Sequence, residues 1–161
     1  MQHAKDSFYM ALRSRLASLN PERTCVVRGS VRPGIVVEEA EAPFAQPPND
    51  IFVVRWLGLG VEIDLASSLF AAECEVAYGT CGCQAYGGLD RGRVMAAMDA
   101  ELTVMMEPLC TPKINHTVNP QVTMPTQVFW DEPVFTPIVA QRDRLSRSAR
   151  VLVYSYKEPG K

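Results

Sequence analysis

Two periods of apolar residues succeed one another along the chain. Between Ala4 and Leu19, residues Phe8, Leu12, Leu16 and Leu19 step by four, four and three. That spacing sets them on one face of a helix, while Arg13, Arg15 and Ser18 fall elsewhere on the wheel. Asn20-Pro21 stops this helix, because a residue before proline is pushed out of the helical region. The same steps return at Val94, Met98, Leu102 and Met105, predicting a second helix over Arg91–Glu107 that ends at Pro108. Asp90 is placed to cap it and to meet the positive end of its dipole. Met95 and Met106 lie beside the stripe. Met98 and Met105 read as core rather than as a pliable binding surface.

Between the helices the period shortens to two. Thr24–Arg28 and Gly34–Glu38 are short, β-branched strand candidates, and Ile51–Leu57 is the strongest strand by composition. Glu38–Asn49 holds three acids and three prolines and reads as a loop. Leu57-Gly58-Leu59-Gly60 reads as a turn or bulge. Val61, Ile63 and Leu65 then alternate with Glu62 and Asp64, and Cys74, Val76 and Tyr78 alternate with Glu73, Glu75 and Ala77. This is the pattern of a sheet with one wet face. Gly79–Gly88 is a loop with four glycines and two cysteines.

Beyond the second helix, Leu109–Pro125 carries one charge, Lys113, and shows neither period. It reads as a proline-rich arm at about 109–125 that is either disordered or laid on something. Thr126–Trp130 and Val151–Tyr156 are strands, Val134–Ala140 is a strand or a loop, and Gln141–Arg150 is a basic stretch. The order predicts an α+β fold: a mostly antiparallel sheet with two helices packed against it, in a single domain spanning 1–161. On this reading Leu12→Ala and Leu102→Ala each cost roughly 2–5 kcal/mol. Deleting residues 110–124 spares the fold and weakens assembly.

Composition narrows the function. Apolar residues make up 47% of the 161, and 16 basic against 18 acidic residues give a net charge of −2. That excludes a disordered chain and a surface that is basic throughout. No apolar run approaches the length of a membrane helix, so no membrane partner is expected. The start, with Lys5, Asp6, Arg13 and Arg15 among its apolar residues, does not read as a signal peptide. Five cysteines, an odd number, point to free thiols in a reducing host cytoplasm.

The candidate chemistry is thin. Cys81-Gly82-Cys83 could ligate zinc or cycle as a dithiol, but Cys25, Cys74, Cys110 and His116 are scattered singly. A Cys110/His116 nucleophile is the cheapest catalytic pairing, and His3 lies at the chain's start. Gly58-x-Gly60 lacks the third glycine of a dinucleotide fingerprint. Glu62, Asp64, Glu73 and Glu75 read as one solvated sheet face, with a magnesium site as the sharper alternative. Arg142, Arg144, Arg147 and Arg150 form a local basic run suited to phosphates or an acidic partner. No catalytic centre, cofactor or metal is expected.

The layout of helix, strands, helix and closing strand pair resembles the tail terminator, or tail completion, proteins of long-tailed bacteriophages. The blocks are Ala4–Leu19, Thr24–Tyr78, Arg91–Glu107 and Thr126–Tyr156. Gly88-Leu89-Asp90-Arg91-Gly92-Arg93, leading into Met98-Asp99-Ala100-Glu101-Leu102, resembles the start of the second helix in such minor tail proteins. The C-x-C loop and the proline-rich arm depart from that pattern. The resemblance implies a virion protein forming a ring, commonly of six copies, on the head-proximal end of the tail tube. Its partners would be other copies of itself, the tail tube protein, a head-completion or neck protein, and double-stranded DNA passing through the lumen without sequence-specific binding. Lys113, His116, Arg142, Arg144, Arg147 and Arg150 are then candidates for the subunit or partner interface. Glu62, Asp64, Glu73 and Glu75 are candidates for a repelling bore. The alternatives are a connector, neck or tube protein, and a small thiol or zinc protein built on Cys81 and Cys83.

Overall fold

The computed structural model describes residues 1–41, 48–58, 61–64, 66–83 and 86–158, the side chains of 61–64 excepted. Its axis is a long antiparallel ribbon. Buried residues, Cys74, Val76 and Tyr78 on one strand and Ala149, Val151 and Val153 on the other, take every second position of the strands we call β6 (Leu69–Thr80) and β11 (Arg144–Tyr156), which pair along their length from Leu69↔Tyr156 to Leu145↔Thr80.

Every other strand but two attaches to this ribbon, directly or through a neighbour. On the β6 side, β4 (Phe52–Trp56) pairs with Cys74–Tyr78, and β5 (Val61–Asp64) with Leu69–Ala71. A three-residue strand, β3 (Ile35–Val37), runs parallel to β4. On the β11 side lie β8 (Val122–Trp130), β9 (Val134–Phe135) and β10 (Val139–Gln141), with β7 (Cys110–Asn115) outside β8. The two exceptions, β1 (Thr24–Val27) and β2 (Ser30–Pro33), form a separate hairpin. Its turn, Arg28-Gly29, takes φ +50° and +79°, the left-handed pair that matches strand twist in two-residue hairpins.

The helices close one face. On α1 (Gln2–Leu19), Ala4, Phe8, Leu12 and Leu16 are fully buried, whereas Leu19, expected on the same stripe, is 43% exposed. Met95, Met98, Leu102 and Met105 of α3 (Arg91–Met105) are buried with them, against Cys74, Val76 and Tyr78 of β6 and Ala149, Val151 and Val153 of β11. The Phe8 ring meets Trp130 edge-on at 5.0 Å and Trp56 at 5.8 Å. Arg15 donates to the Met105 and Glu107 carbonyls and so satisfies the open end of α3. A smaller cluster, Val36, Ile51 and Val53, is covered by Cys25 and Val27 of the hairpin.

The expected α+β class holds, with a mostly antiparallel sheet. Three details differ. A third helix, the single turn α2 (Glu38–Glu41), opens the expected loop 38–49, of which residues 42–47 lie outside the described residues. Asp90 makes no side-chain cap to α3; its carboxylate accepts the Cys83 N–H instead. The arm at 109–125 is no arm. It is β7, a turn and the first part of β8, with Pro112 on the edge strand and Pro125 beside a register shift, where a missing N–H costs no ladder bond. Deleting 110–124 would therefore remove sheet that packs on α1, where Ser7 Oγ accepts the Ile114 N–H at 2.9 Å, and would not spare the fold. Among the described residues no helix is long and apolar enough to cross a membrane.

Candidate assembly surface

Strand alternation turns Glu73 and Glu75 of β6 away from the helices, together with Ser148 and Arg150 of β11 and Arg55 of β4. Register sets Arg150 and Arg55 on either side of Glu75. Arg150 lies 3.4 Å from Glu75 and 3.8 Å from Glu73; Arg55 lies 2.9 Å from Glu38 and 3.8 Å from Glu75. Glu73 and Glu75 thus sit in a charge-balanced ladder rather than on a bare acidic face. Glu62 and Asp64 stand opposite Phe70 and Leu69 with a register shift between them, which breaks the simple alternation expected there. Their side chains lie outside the described residues.

The basic run divides by the same alternation. Arg147 points to the helix side, 2.7 Å from Asp99 of α3, donates to the Thr136 carbonyl and lies over the Phe135 ring. Asp99 also accepts the Tyr78 hydroxyl at 2.5 Å; burial first, and that bond second, push this phenol far above its ordinary range. Arg144 faces the other way and donates to Asn49 Oδ1 at 2.6 Å. Arg142 occupies the β10–β11 turn at φ +56° and is exposed. A cleft of about 340 Å³ opens between the ladder and β9–β10, lined by Arg55, Glu75, Thr136, Arg144, Arg147 and Ser148.

The six expected interface residues are not gathered on one surface. Lys113 is interior: its side chain is 7% exposed and its ammonium donates to Ser155 Oγ and the Tyr156 carbonyl and pairs with Glu158 at 2.8 Å. An ammonium so enclosed offers nothing to a neighbour. His116 is half-buried in the turn after β7. Cys110 opens β7 and His116 follows its end, which puts about 20 Å of extended chain between them and removes the nucleophilic pairing. Among the described residues no group of three or more His, Cys, Asp or Glu side chains is placed to hold a metal ion.

Two apolar surfaces escaped the sequence reading. Val26 and Val31 are cross-strand partners on the β1–β2 hairpin, 69% and 71% exposed. Val134, Ile138 and Val139 are 70%, 48% and 56% exposed around β9 and β10. The hairpin covers the β3–β4 flank of the sheet, and β9 and β10 lie on the far side of β11. The only advance signal for the first pair was Arg28-Gly29, whose turn makes residues five apart face the same way.

The hairpin is held at its root. Arg32 donates to the Tyr9 hydroxyl at 2.6 Å and pairs with Glu41, and Glu41 also accepts the Val37 N–H and the Tyr9 hydroxyl. Burial alone would raise the Glu41 carboxyl, but these hydrogen bonds, led by Arg32, hold it below the ordinary 4.5. Tyr9 is pushed well up by its burial and by Glu41.

Comparison with known proteins finds no matching family model and no matching curated protein.

Proposed function

We propose that this chain is the subunit of a closed ring that caps the head-proximal end of a phage tail tube, stops tube growth and joins it to the head. One observation carries the reading: two exposed apolar strand surfaces stand on opposite flanks of one subunit. A head-to-tail ring needs two different patches that fit each other, and it closes only when the rotation between copies closes. Contiguous exposed valines on a monomer mark such contacts. Charge favours the match, with exposed Arg28 at the hairpin tip and exposed Glu132 next to Val134.

The resemblance in layout adds the tail tube and a head-completion or neck protein as partners. It places the ring in the virion after synthesis in the host cytoplasm. The balanced Glu73–Arg150–Glu75–Arg55 ladder suits a wall along which DNA slides, since it neither grips nor strongly repels phosphate.

Native mass measurement and negative-stain microscopy of the purified protein test the proposal. Closed annuli, commonly of six copies, are expected. The pair Val26→Glu and Val31→Glu, on solvent positions, should leave a folded monomer. A wild-type protein that stays monomeric at high concentration and does not bind tube ends overturns the reading.

A further inference from the structure

Gly79, near the end of β6, and Gly82 and Gly88, in the loop between β6 and α3, make room for two arginine side chains. A Cβ on Gly79 would lie 2.7 Å from Nε and Nη2 of Arg144. One on Gly82 would lie 2.8 Å from Cγ of Arg91 and 2.7 Å from Asp90, and one on Gly88 3.3 Å from Nε of Arg91. The glycine-rich stretch thus leaves room for the Arg91 and Arg144 side chains.

Those groups are oriented by neutral acceptors. Arg91 donates to the Gly88 carbonyl at 3.0 Å and to the Arg142 carbonyl at 3.4 Å. Arg144 donates to Asn49 Oδ1, which turns the amide so that its Nδ2 donates to Cys81 Sγ at 3.2 Å. Two adjoining cavities of about 320 and 390 Å³ share Cys81, Arg142 and Asp143; Arg144 lines one and Arg91 the other. Of the nearby acids, Asp90 is engaged by the Cys83 N–H, and Asp143, in the β10–β11 turn, lines both cavities. Among the described residues, Arg91, Arg142 and Arg144 share with Arg13, Arg15, Arg28 and Arg93 the lack of a carboxylate within 4.0 Å, whereas Arg23, Arg32, Arg55, Arg147 and Arg150 each have one; the first three are the ones that line these two cavities.

Guanidinium groups satisfied by neutral oxygens keep their full charge for a ligand. Arg91, from the start of α3, and Arg144, the first residue of β11, each line one cavity together with the exposed Arg142 of the β10–β11 turn. Planar forks carried on three different elements suit a tetrahedral oxyanion better than a flat carboxylate, which two would saturate. We propose that this double cavity is a binding site for a phosphate group, supplied either as free phosphate or as the phosphodiester backbone of nucleic acid. Neither source depends on the ring.

Cys81 is a built-in reporter, because it lies on the wall shared by both cavities. In a Cys83→Ser background, the alkylation rate of Cys81 is followed by mass spectrometry, with exposed Cys110 as the reference. One arm adds inorganic phosphate and the other a short DNA duplex. Protection of Cys81 by several-fold in either arm, with Cys110 unchanged, is expected, and the arm that protects identifies the source. Protection by the duplex should weaken as salt is raised. Arg144→Gln and Arg142→Asn should each abolish it; asparagine tolerates the positive φ at 142, so that variant reads the site even if Arg144→Gln unfolds. Protection in neither arm, or protection that persists in Arg142→Asn, overturns the proposal. A monomeric protein with protected Cys81 would sink the ring and leave this site standing.

Discussion

The two ends of the β6–β11 ribbon treat positive charge in opposite ways. At the Leu69–Tyr156 end, Lys113 lines a cavity of about 310 Å³ but is itself buried and matched by a hydroxyl, a carbonyl and the Glu158 carboxylate. At the Thr80–Leu145 end, Arg91, Arg142 and Arg144 stand around open space with Asp143 on the same walls but no carboxylate within 4.0 Å among the described residues. A charge taken out of water must find its counter-charge within the fold, or it destabilises that fold. A charge left at the rim of a cavity is under no such demand. The Lys113 end is thus closed by its own counter-charge, and on the proposed phosphate site the arginine end is where a partner's charge has somewhere to go.

The largest effect that sharpens this contrast is expected at the closed end. Lys113→Ala removes the ammonium that Ser155, the Tyr156 carbonyl and Glu158 all engage, and breaking a buried pair from one side costs about 3–5 kcal/mol. Urea unfolding measures it. A loss below about 1 kcal/mol, the range of surface pairs, would place Lys113 functionally in solvent and erase the contrast.

A smaller effect concerns the clasp at the hairpin root. Because Glu41 ionises more readily folded than unfolded, its contribution is complete above the ordinary 4.5 and disappears as pH falls through the lower folded value. The acid limb of the stability curve should flatten in Glu41→Gln, as followed by thermal unfolding between neutral and acid pH. The smallest effect belongs to the open end. Arg142→Asn should change stability by no more than about 0.5 kcal/mol, since the side chain is exposed and without an ion pair. A large loss there would mean that the three arginines hold the fold together.

Both long helices were legible because their apolar steps are unbroken. The β6 strand was equally plain, since Cys74, Val76 and Tyr78 all turn inward. The β7–β8 hairpin was hidden by its prolines. Pro112 sits on an outer edge, where its missing donor does no harm, so a residue that argues against a strand was no obstacle here. The basic run was misread for a different reason. As a loop, Arg142 to Arg150 is one patch; as a strand, odd and even positions part, which sends Arg147 to Asp99 and Arg150 to the outer ladder. The seats of Arg91 and Arg144 had only a faint trace, the density of glycine at 79, 82 and 88, which reads as turn chemistry until the arginines are seen lying across it.

The central ribbon also governs how this chain reaches its native state. Its two strands are separated in sequence by α3 and four other strands, so the longest ladder can zip only after a large stretch of chain has been gathered in. Loop-closure entropy is spent before the pairing returns it, which predicts slow folding dominated by non-local contacts. Until β11 arrives, β6 presents an uncovered row of backbone donors and acceptors, and the yield of refolding should fall steeply with protein concentration.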